Sequence, residues 1–380
     1  MRVTQKDITI SIFELSNNSF QVIGQVNQYT SLRWIEEYAD TGSFELWAPI
    51  TEENSNLFKH DRVIWIEGES TAGIIEGIKE TVDTDEQKVF DITGRMLVSL
   101  LDRRIIWNTY NVYNKFVYTV LREIVNINCI DVDEEMTARA IPYLELGDIS
   151  GIGWGKITIQ RTGDEVFATL QEISNAQENG FNISFSPRES KLYFNLILGE
   201  NHAIGNANPV VLSSSMEDIL ESTYYSNKRD YKNIALVAGE GEGEERTRTT
   251  TGNNASSGFN RRELYVDARD LQSGDSEEPE ENMTPEEYEQ LLKDRGNEKL
   301  ADCQMVEQFE ATIRTVGSQY EYLTDYKIGD IVTVQDERIG ISIDVRIVKV
   351  EQSFSDNYDL LITFGYDMPK LLRKLKTKNL

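Results

Sequence analysis

Two cysteines, two histidines and no long apolar run leave this chain of 380 residues with few of the usual chemical tools. No stretch approaches the roughly 18 consecutive apolar residues of a membrane-spanning helix, so no transmembrane helix is expected. The first seven residues are polar and run straight into alternating Ile8, Ile10 and Ile12, the pattern of a strand and not of a secretory signal. The sequence therefore reads as that of a protein made and folded in the cytoplasm. Cys129 and Cys303 each sit beside apolar residues and read as buried, reduced thiols. With His60 and His202 as the only imidazoles, a zinc site has almost no ligands to draw on. There is no Gly-x-Ser-x-Gly elbow and no His-Glu-x-x-His, and neither histidine stands where a base would activate a nucleophile. Pairs of carboxylates can be drawn almost anywhere among 65 acidic residues, so they discriminate nothing. No catalytic residue, cofactor or metal is expected, and the chain reads as a non-enzyme.

Basic residues are also short, 38 against 65 acidic, for a net charge of -27. That disfavours binding to the outside of nucleic acid or to anionic membranes. It suits an acidic wall past which DNA slides, and it equally suits a subunit kept soluble until it meets its partners.

What the chain does have is one β-meander written twice. The first copy runs from Phe44-Glu45-Leu46 through His60-Asp61-Arg62-Val63 and Gly73-Ile74-Ile75 to Ile92-Thr93-Gly94. The second runs from Phe309-Glu310-Ala311 through Gly329-Asp330-Ile331-Val332 and Val345-Arg346-Ile347 to Ile362-Thr363-Phe364-Gly365. In each, a Phe-Glu strand leads to an Asp-x-Val strand, a long Ile/Val strand, an acidic turn (83–86 or 355–359) and a strand ending in Ile-Thr. This alignment sets Asp61 against Asp330 and His60 against Gly329. Antiparallel meanders share alternation and turn residues in general. The agreement of four strands in order is what argues for duplication. A chain that carries one module twice presents two similar faces, and can build a ring with twice the rotational order of its subunit count.

Along the rest of the chain, residues 8 to 34 read as further strands, and a short helix over 95–101 closes the first barrel. Tyr113, Phe116, Val117, Val120, Leu121, Ile124 and Val125 fall on one helical stripe, predicting a helix of about fifteen residues. A second helix is predicted over 166–174 with Asp164 as N-cap, followed by a hairpin of 180–185 and 191–196. Met216 to Leu220 reads as helical. A strand at 233–238 runs into Gly239-Glu240-Gly241-Glu242-Gly243, whose alternating glutamates would repel phosphate. The segment 239–260 is expected to be a long mobile loop, and 275–282 a second acidic stretch. Thr284, Pro285 and Glu287 predict a capped helix start, with Gly296 weakening the middle of that helix.

The series Trp34, Gly42-Ser43-Phe44-Glu45-Leu46, Gly73-Ile74-Ile75-Glu76 and Gly94-Arg95-x-Leu97-x-x-Leu100-Leu101-x-Arg103-Arg104 resembles the start of siphophage tail hub proteins. These form the N-terminal structural part of tail-tip or tail-associated proteins. Gly239-x-Gly241-x-Gly243, the run from Arg262 to Arg269, Leu291-Leu292-x-x-Arg295-Gly296 and Asp325-Tyr326-Lys327-Ile328-Gly329-Asp330-x-Val332 continue the likeness, which spans about 8–367. The resemblance implies a baseplate or tail-tip hub: a homotrimer whose two related barrels per subunit form a pseudo-sixfold ring between the tail tube and the tip. It implies as partners a tube or distal tail protein, a tip, spike or fibre protein, and a tape-measure protein in the lumen. DNA would pass through without specific binding, and no membrane anchor is expected. The location implied is the tail end of a virion assembled in the bacterial cytoplasm, whether of a contractile, flexible or bacteriocin-type particle. The chain stops soon after the second barrel, so no appended peptidase, lysozyme or fibre domain is expected.

The expected fold is mainly β, with two related antiparallel β-barrel domains and a smaller α+β domain. The first barrel is placed at 1–101, the α+β domain at 102–205, and the second barrel at 206–367 with the loop 239–260 and a helical insertion at 284–303. A basic tail follows at 368–380. Lys370, Arg373, Lys374, Lys376 and Lys378 in that tail are candidate contacts to an acidic neighbour. Competing readings are a carbohydrate-active hydrolase using paired carboxylates and a glycan-binding receptor module in which Trp34, Trp107 or Trp154 stacks on sugars.

Overall fold

A computed structural model of the protein describes residues 8–16, 19–82, 88–149, 154–274 and 283–365. Seven strands make the first β-unit: β1 (Ile10–Ser16), β2 (Ser19–Gln25), β3 (Ser31–Glu37), β4 (Ser43–Pro49), β5 (Val63–Ile66), β6 (Gly73–Val82) and β7 (Lys88–Met96). A single-turn helix α1 (Glu52–Leu57), capped by the Thr51 side chain, links β4 to β5. The strands lie in the order β3-β4-β7-β6-β5-β1-β2. In β4, Phe44, Leu46 and Ala48 point into the core while Glu45 and Trp47 face outward, the alternation of a half-buried strand. A 3-10 turn at Leu97–Arg103 closes the unit where the sequence predicts a helix.

The middle of the chain holds β8 (Tyr110–Phe116), α2 (Val117–Val125), β9 (Leu144–Leu146), β10 (Lys156–Arg161), α3 (Val166–Gln177), β11 (Gly180–Ser186) and β12 (Lys191–Ile197). The fifteen-residue helix predicted here is shorter. Tyr113 and Phe116 belong to a strand that pairs with β10, more than forty residues away, and both rings are exposed. The helical stripe of Val117, Val120, Leu121, Ile124 and Val125 is fully buried. Glu165, not Asp164, is the N-cap of α3 and its side chain makes no capping bond. The predicted hairpin is present as β11 and β12. This segment packs directly on the first β-unit: Phe185 lies edge-on against Phe13 at 5.0 Å, and one continuous apolar cluster runs from Ile10 to Leu196.

The rest comprises β13 (Asn201–His202), β14 (Val211–Ser213), β15 (Ile219–Asn227), β16 (Ile234–Ala238), β17 (Arg248–Gly252), β18 (Glu263–Asp267), α4 (Pro285–Ala301), β19 (Val306–Ile313), β20 (Ile331–Asp336), β21 (Ile341–Phe354) and β22 (Tyr358–Gly365). Met216 and Glu217 lie in a turn, and Ile219 and Leu220 open β15 where a helix was expected. The expected mobile loop 239–260 is instead a hairpin plus a turn. β16 pairs with β17, and the Arg246 guanidinium ties the bend together by donating to the carbonyls of Ala238 and Gly239 and to the Asp267 carboxylate. The glycine and glutamate composition hid this, because the ordering comes from one arginine and a strand partner. With β18 and α4 the hairpin encloses a separate small core around Val237, Leu271, Tyr288 and Leu292. The capping box of α4 forms as predicted, Thr284 and Glu287 bonding each other's backbone. Gly296, expected to weaken the helix, is where it touches the sheet: a Cβ there would lie 2.5 Å from Thr251 and 2.6 Å from Val237. Cys129 is buried, whereas Cys303 is only partly so.

The two β-units are paired alike. The second follows the order β15-β19-β22-β21-β20, matching β3-β4-β7-β6-β5 strand for strand. Phe44 sits opposite Gly94 and Glu45 opposite Thr93; Phe309 sits opposite Phe364 and Glu310 opposite Thr363. Both long strands carry a bulge at the same place, Glu76 between Ile75 and Gly77 and Val348 between Ile347 and Lys349. The structure corrects the alignment of the Asp-x-Val strands by one residue. The amides of Asp61 and Gly329 bond the carbonyls of Ile75 and Ile347, and both residues have positive φ, 63° and 92°. Asp61 is therefore the counterpart of Gly329, and Arg62 that of the buried Asp330; His60 lies one residue earlier. The repeat ends at this side: β1 joins β5 antiparallel, whereas β13 and β14 join β20 in parallel.

Candidate assembly interface

Where the two β-units meet, the sheet does not stop. Residues 341–346 of β21 pair with β20, and residues 349–354 leave that partner and pair with β3 of the first unit. β21 has 14 residues because it serves two neighbours. Lys349 faces Glu37, Gln352 faces Trp34 and Phe354 faces Leu32. Arg33 and Glu351 close one side as a two-pronged ion pair, with Nη2 to Oε2 at 2.7 Å. At the end of β3, the amide of Tyr38 donates to the Val348 carbonyl at the bulge. The Tyr38 hydroxyl donates to the Ile197 carbonyl at 3.2 Å, and the Arg346 guanidinium lies over its ring at 5.1 Å. One residue thus ties β3 to β12 and β21.

Beneath this joint lie two buried carboxylates, Glu36 of β3 and Glu69 of the β5–β6 turn. Thr71 and Tyr322 donate to Glu36; Gln352 donates to Glu69 at 3.0 Å, and Tyr358 supports Gln352 at 2.9 Å. Burial raises the pKa of Glu36, and burial together with the Glu36 charge pushes Glu69 up to about 7. No cation is paired with either among these contacts. The arrangement holds a proton near neutrality and locks one unit to the other, since Glu36 and Glu69 come from the first unit and Gln352, Tyr322 and Tyr358 from the second. Sequence reasoning had no signal for this cluster, whose members lie up to 322 apart in numbering from 36.

A second polar tie fastens the inserted helix. Arg161 of β10, buried, pairs with buried Glu298 of α4 and with Glu172 of α3, while Asp294 of α4 accepts from the Thr158 amide at 2.7 Å. Burial lifts Asp294 to about 6.

The basic residues Lys370, Arg373, Lys374, Lys376 and Lys378 lie outside the described residues, as do the acidic turn at 83–86 and the stretch 275–282. Of the tryptophans weighed as sugar platforms, Trp34 is fully buried, packed on Phe44, and Trp154 is half-buried. Trp107 is exposed but its face carries the Arg139 guanidinium at 4.9 Å. A cavity of about 20 Å³ lies between the units, lined by Glu36, Thr71, Asn182 and Ile328 among others. It has room for little more than a water, far below a ligand cleft of several hundred Å³. Among the described residues no helix is long and apolar enough to cross a membrane, and no group of three or more His, Cys, Asp or Glu is placed to hold a metal.

Solved structures share this fold. The 43 kDa tail protein of prophage MuSo2 from Shewanella oneidensis superposes with a TM-score of 0.56 at 14% identity, over 94% of this chain and 98% of that one. The tail protein from Neisseria meningitidis MC58 gives 0.53 at 12% identity over 95% and 97%. Prophage tail protein gp18 from Listeria monocytogenes EGD-e gives 0.53 at 12% over 97% and 98%. At such identities the likeness is one of fold. A comparison with curated protein sequences finds no match. The profile of the family described as Siphovirus ReqiPepy6 Gp37-like protein matches residues 10–366.

Proposed function

We infer the role of this chain from its kinship: it belongs to the family of Siphovirus ReqiPepy6 Gp37-like proteins, and by family and fold it is a structural component of a phage tail. Within the tail we propose the hub. Three copies would form a pseudo-sixfold ring that joins the tail tube to the tip around the channel for DNA or the tape-measure protein. The observation that carries this reading is the pair of β-units with matching strand order, register and bulge in one chain. Six such units from three subunits fit under a sixfold tube while the chain itself repeats three times. The role proposed is non-enzymatic: contacts made on assembly, not a reaction. The division at 101 and 205, the docking of the basic tail 368–380 on an acidic neighbour, and assembly in the host cytoplasm belong to the same proposal.

Cryo-electron microscopy of the intact particle, averaged at the tail end, tests it. The expected map shows three chains with six β-units around the axis. A map that places the chain away from the channel, or with other than three copies, would overturn the hub.

A further inference from the structure

Inside one chain, the second half of a long strand of the second unit (residues 349–354 of β21) pairs with β3 of the first unit. The repeat contains both halves of the same joint a second time, unmated. Register and bulge map residues 349–354 of β21 onto 77–82 of β6, and map Trp34 of β3 onto Tyr224 of β15. No described strand pairs with the second edge of 77–82 or with the outer edge of β15.

Burial marks the same absence. Val350, Gln352 and Phe354 are 0%, 4% and 4% exposed, while their counterparts Ile78, Glu80 and Val82 are partly or fully exposed, Val82 at 60%. Leu32 and Trp34 are buried, while their counterparts Ser222 and Tyr224 are half-buried and 45% exposed. The two edges are thus exposed at the positions that are covered in the joint already made.

Resting on the hub reading, we propose that a second copy of this chain completes the joint, its β15 adding antiparallel to residues 77–82 of β6. Transferring the internal register sets Gly77 opposite Asn227, Lys79 opposite Tyr225, Glu80 opposite Tyr224, Thr81 opposite Thr223 and Val82 opposite Ser222. The Lys228 amide then meets the Glu76 carbonyl at the bulge, as Tyr38 meets Val348. The pairing is head-to-tail, so it leaves a free edge at each end until a ring closes. The Arg33–Glu351 pair has no copy here, since Thr223 and Lys79 stand in those places. The joint between copies is held by strand bonds and by the Tyr224 and Tyr225 rings, and it opens more readily than the joint within the chain.

Cysteine crosslinking of the full chain, in a Cys303→Ser background, tests the register. Glu80→Cys with Tyr224→Cys, or Thr81→Cys with Thr223→Cys, in one chain is expected to give a covalent ladder that ends at three copies. Mixing chains that carry only Glu80→Cys with chains that carry only Tyr224→Cys is expected to give dimers and nothing larger. Sedimentation of the same samples separates the two claims. A trimer that gives no ladder with either pair overturns this pairing and leaves the ring. A ladder that grows past three copies supports the pairing and overturns the trimer. A monomer at every concentration overturns both.

Discussion

Raising the pH is expected to weaken the joint between the two β-units, and Glu69→Gln is expected to remove that weakness. Glu69 is buried and its carboxyl group receives one hydrogen bond, from Gln352; the other carboxyl group that acts on it is Glu36. Burial first, and then that like charge, moves its titration from an ordinary 4.5 to about 7. A raised carboxylate pKa means that the folded chain keeps a proton which the unfolded chain has already released. The associated stability is fully present below the unfolded value and is lost as the pH climbs through the folded one. The interval between the two values corresponds to about 3 kcal/mol. Other acidic residues impose their own pH dependence on the whole chain, so the informative quantity is the difference between variant and wild type. Glutamine stays neutral and keeps a carbonyl oxygen for Gln352. Thermal unfolding should therefore give similar midpoints at about pH 4, with Glu69→Gln several degrees higher at about pH 8. A difference that stays flat across this range would show that no proton is held at the joint, and would refute the reasoning.

Gly296→Ala should destabilise, although alanine favours an isolated helix by about 1 kcal/mol. The added methyl meets Thr251 and Val237 at under 3 Å, so a lower midpoint in thermal melts is the expected sign. Glu298→Ala should cost about 3 kcal/mol in denaturant unfolding by leaving Arg161 buried with weaker partners, and pairing it with Arg161→Met should recover most of that loss. Phe354→Ala should cost about 3 to 5 kcal/mol, whereas Val82→Ala at the equivalent exposed position should change the unfolding of the single chain by under about 0.5 kcal/mol.

The strands of the meander and their repetition were legible in the residues, because alternation of Phe44, Leu46 and Ala48 or of Phe309 and Ala311 is a local pattern with one face to bury. The start of α4 was legible for the same reason: Thr284 and Glu287 satisfy backbone groups within one turn. Tyr113 and Phe116 misled because apolar residues in a strand next to a helix continue the helical spacing, and only the distant β10 settles their conformation. The offset of one residue at Asp61 and Gly329 arose because an Asp-x-Val match ignores φ, and the turn selects a left-handed residue, not an aspartate.

The candidate interface divides in the same way. Apart from β15, which was expected to open as a helix, its strands could be read from the chain, and its mating edges could not. That β21 runs on to pair with β3 while residues 77–82 of β6 find no such partner among the described residues is a fact of long-range hydrogen bonding. So is the meeting of Glu36, Glu69 and Gln352, whose proton depends on burial that no local pattern encodes. The sequence alone determined two copies of a meander and a mainly β chain, because periodicity and composition act over neighbouring residues. Which edge is covered, which is open and which carboxylate stays neutral were decided only by the tertiary structure, because those depend on what residues far apart in the chain place beside one another.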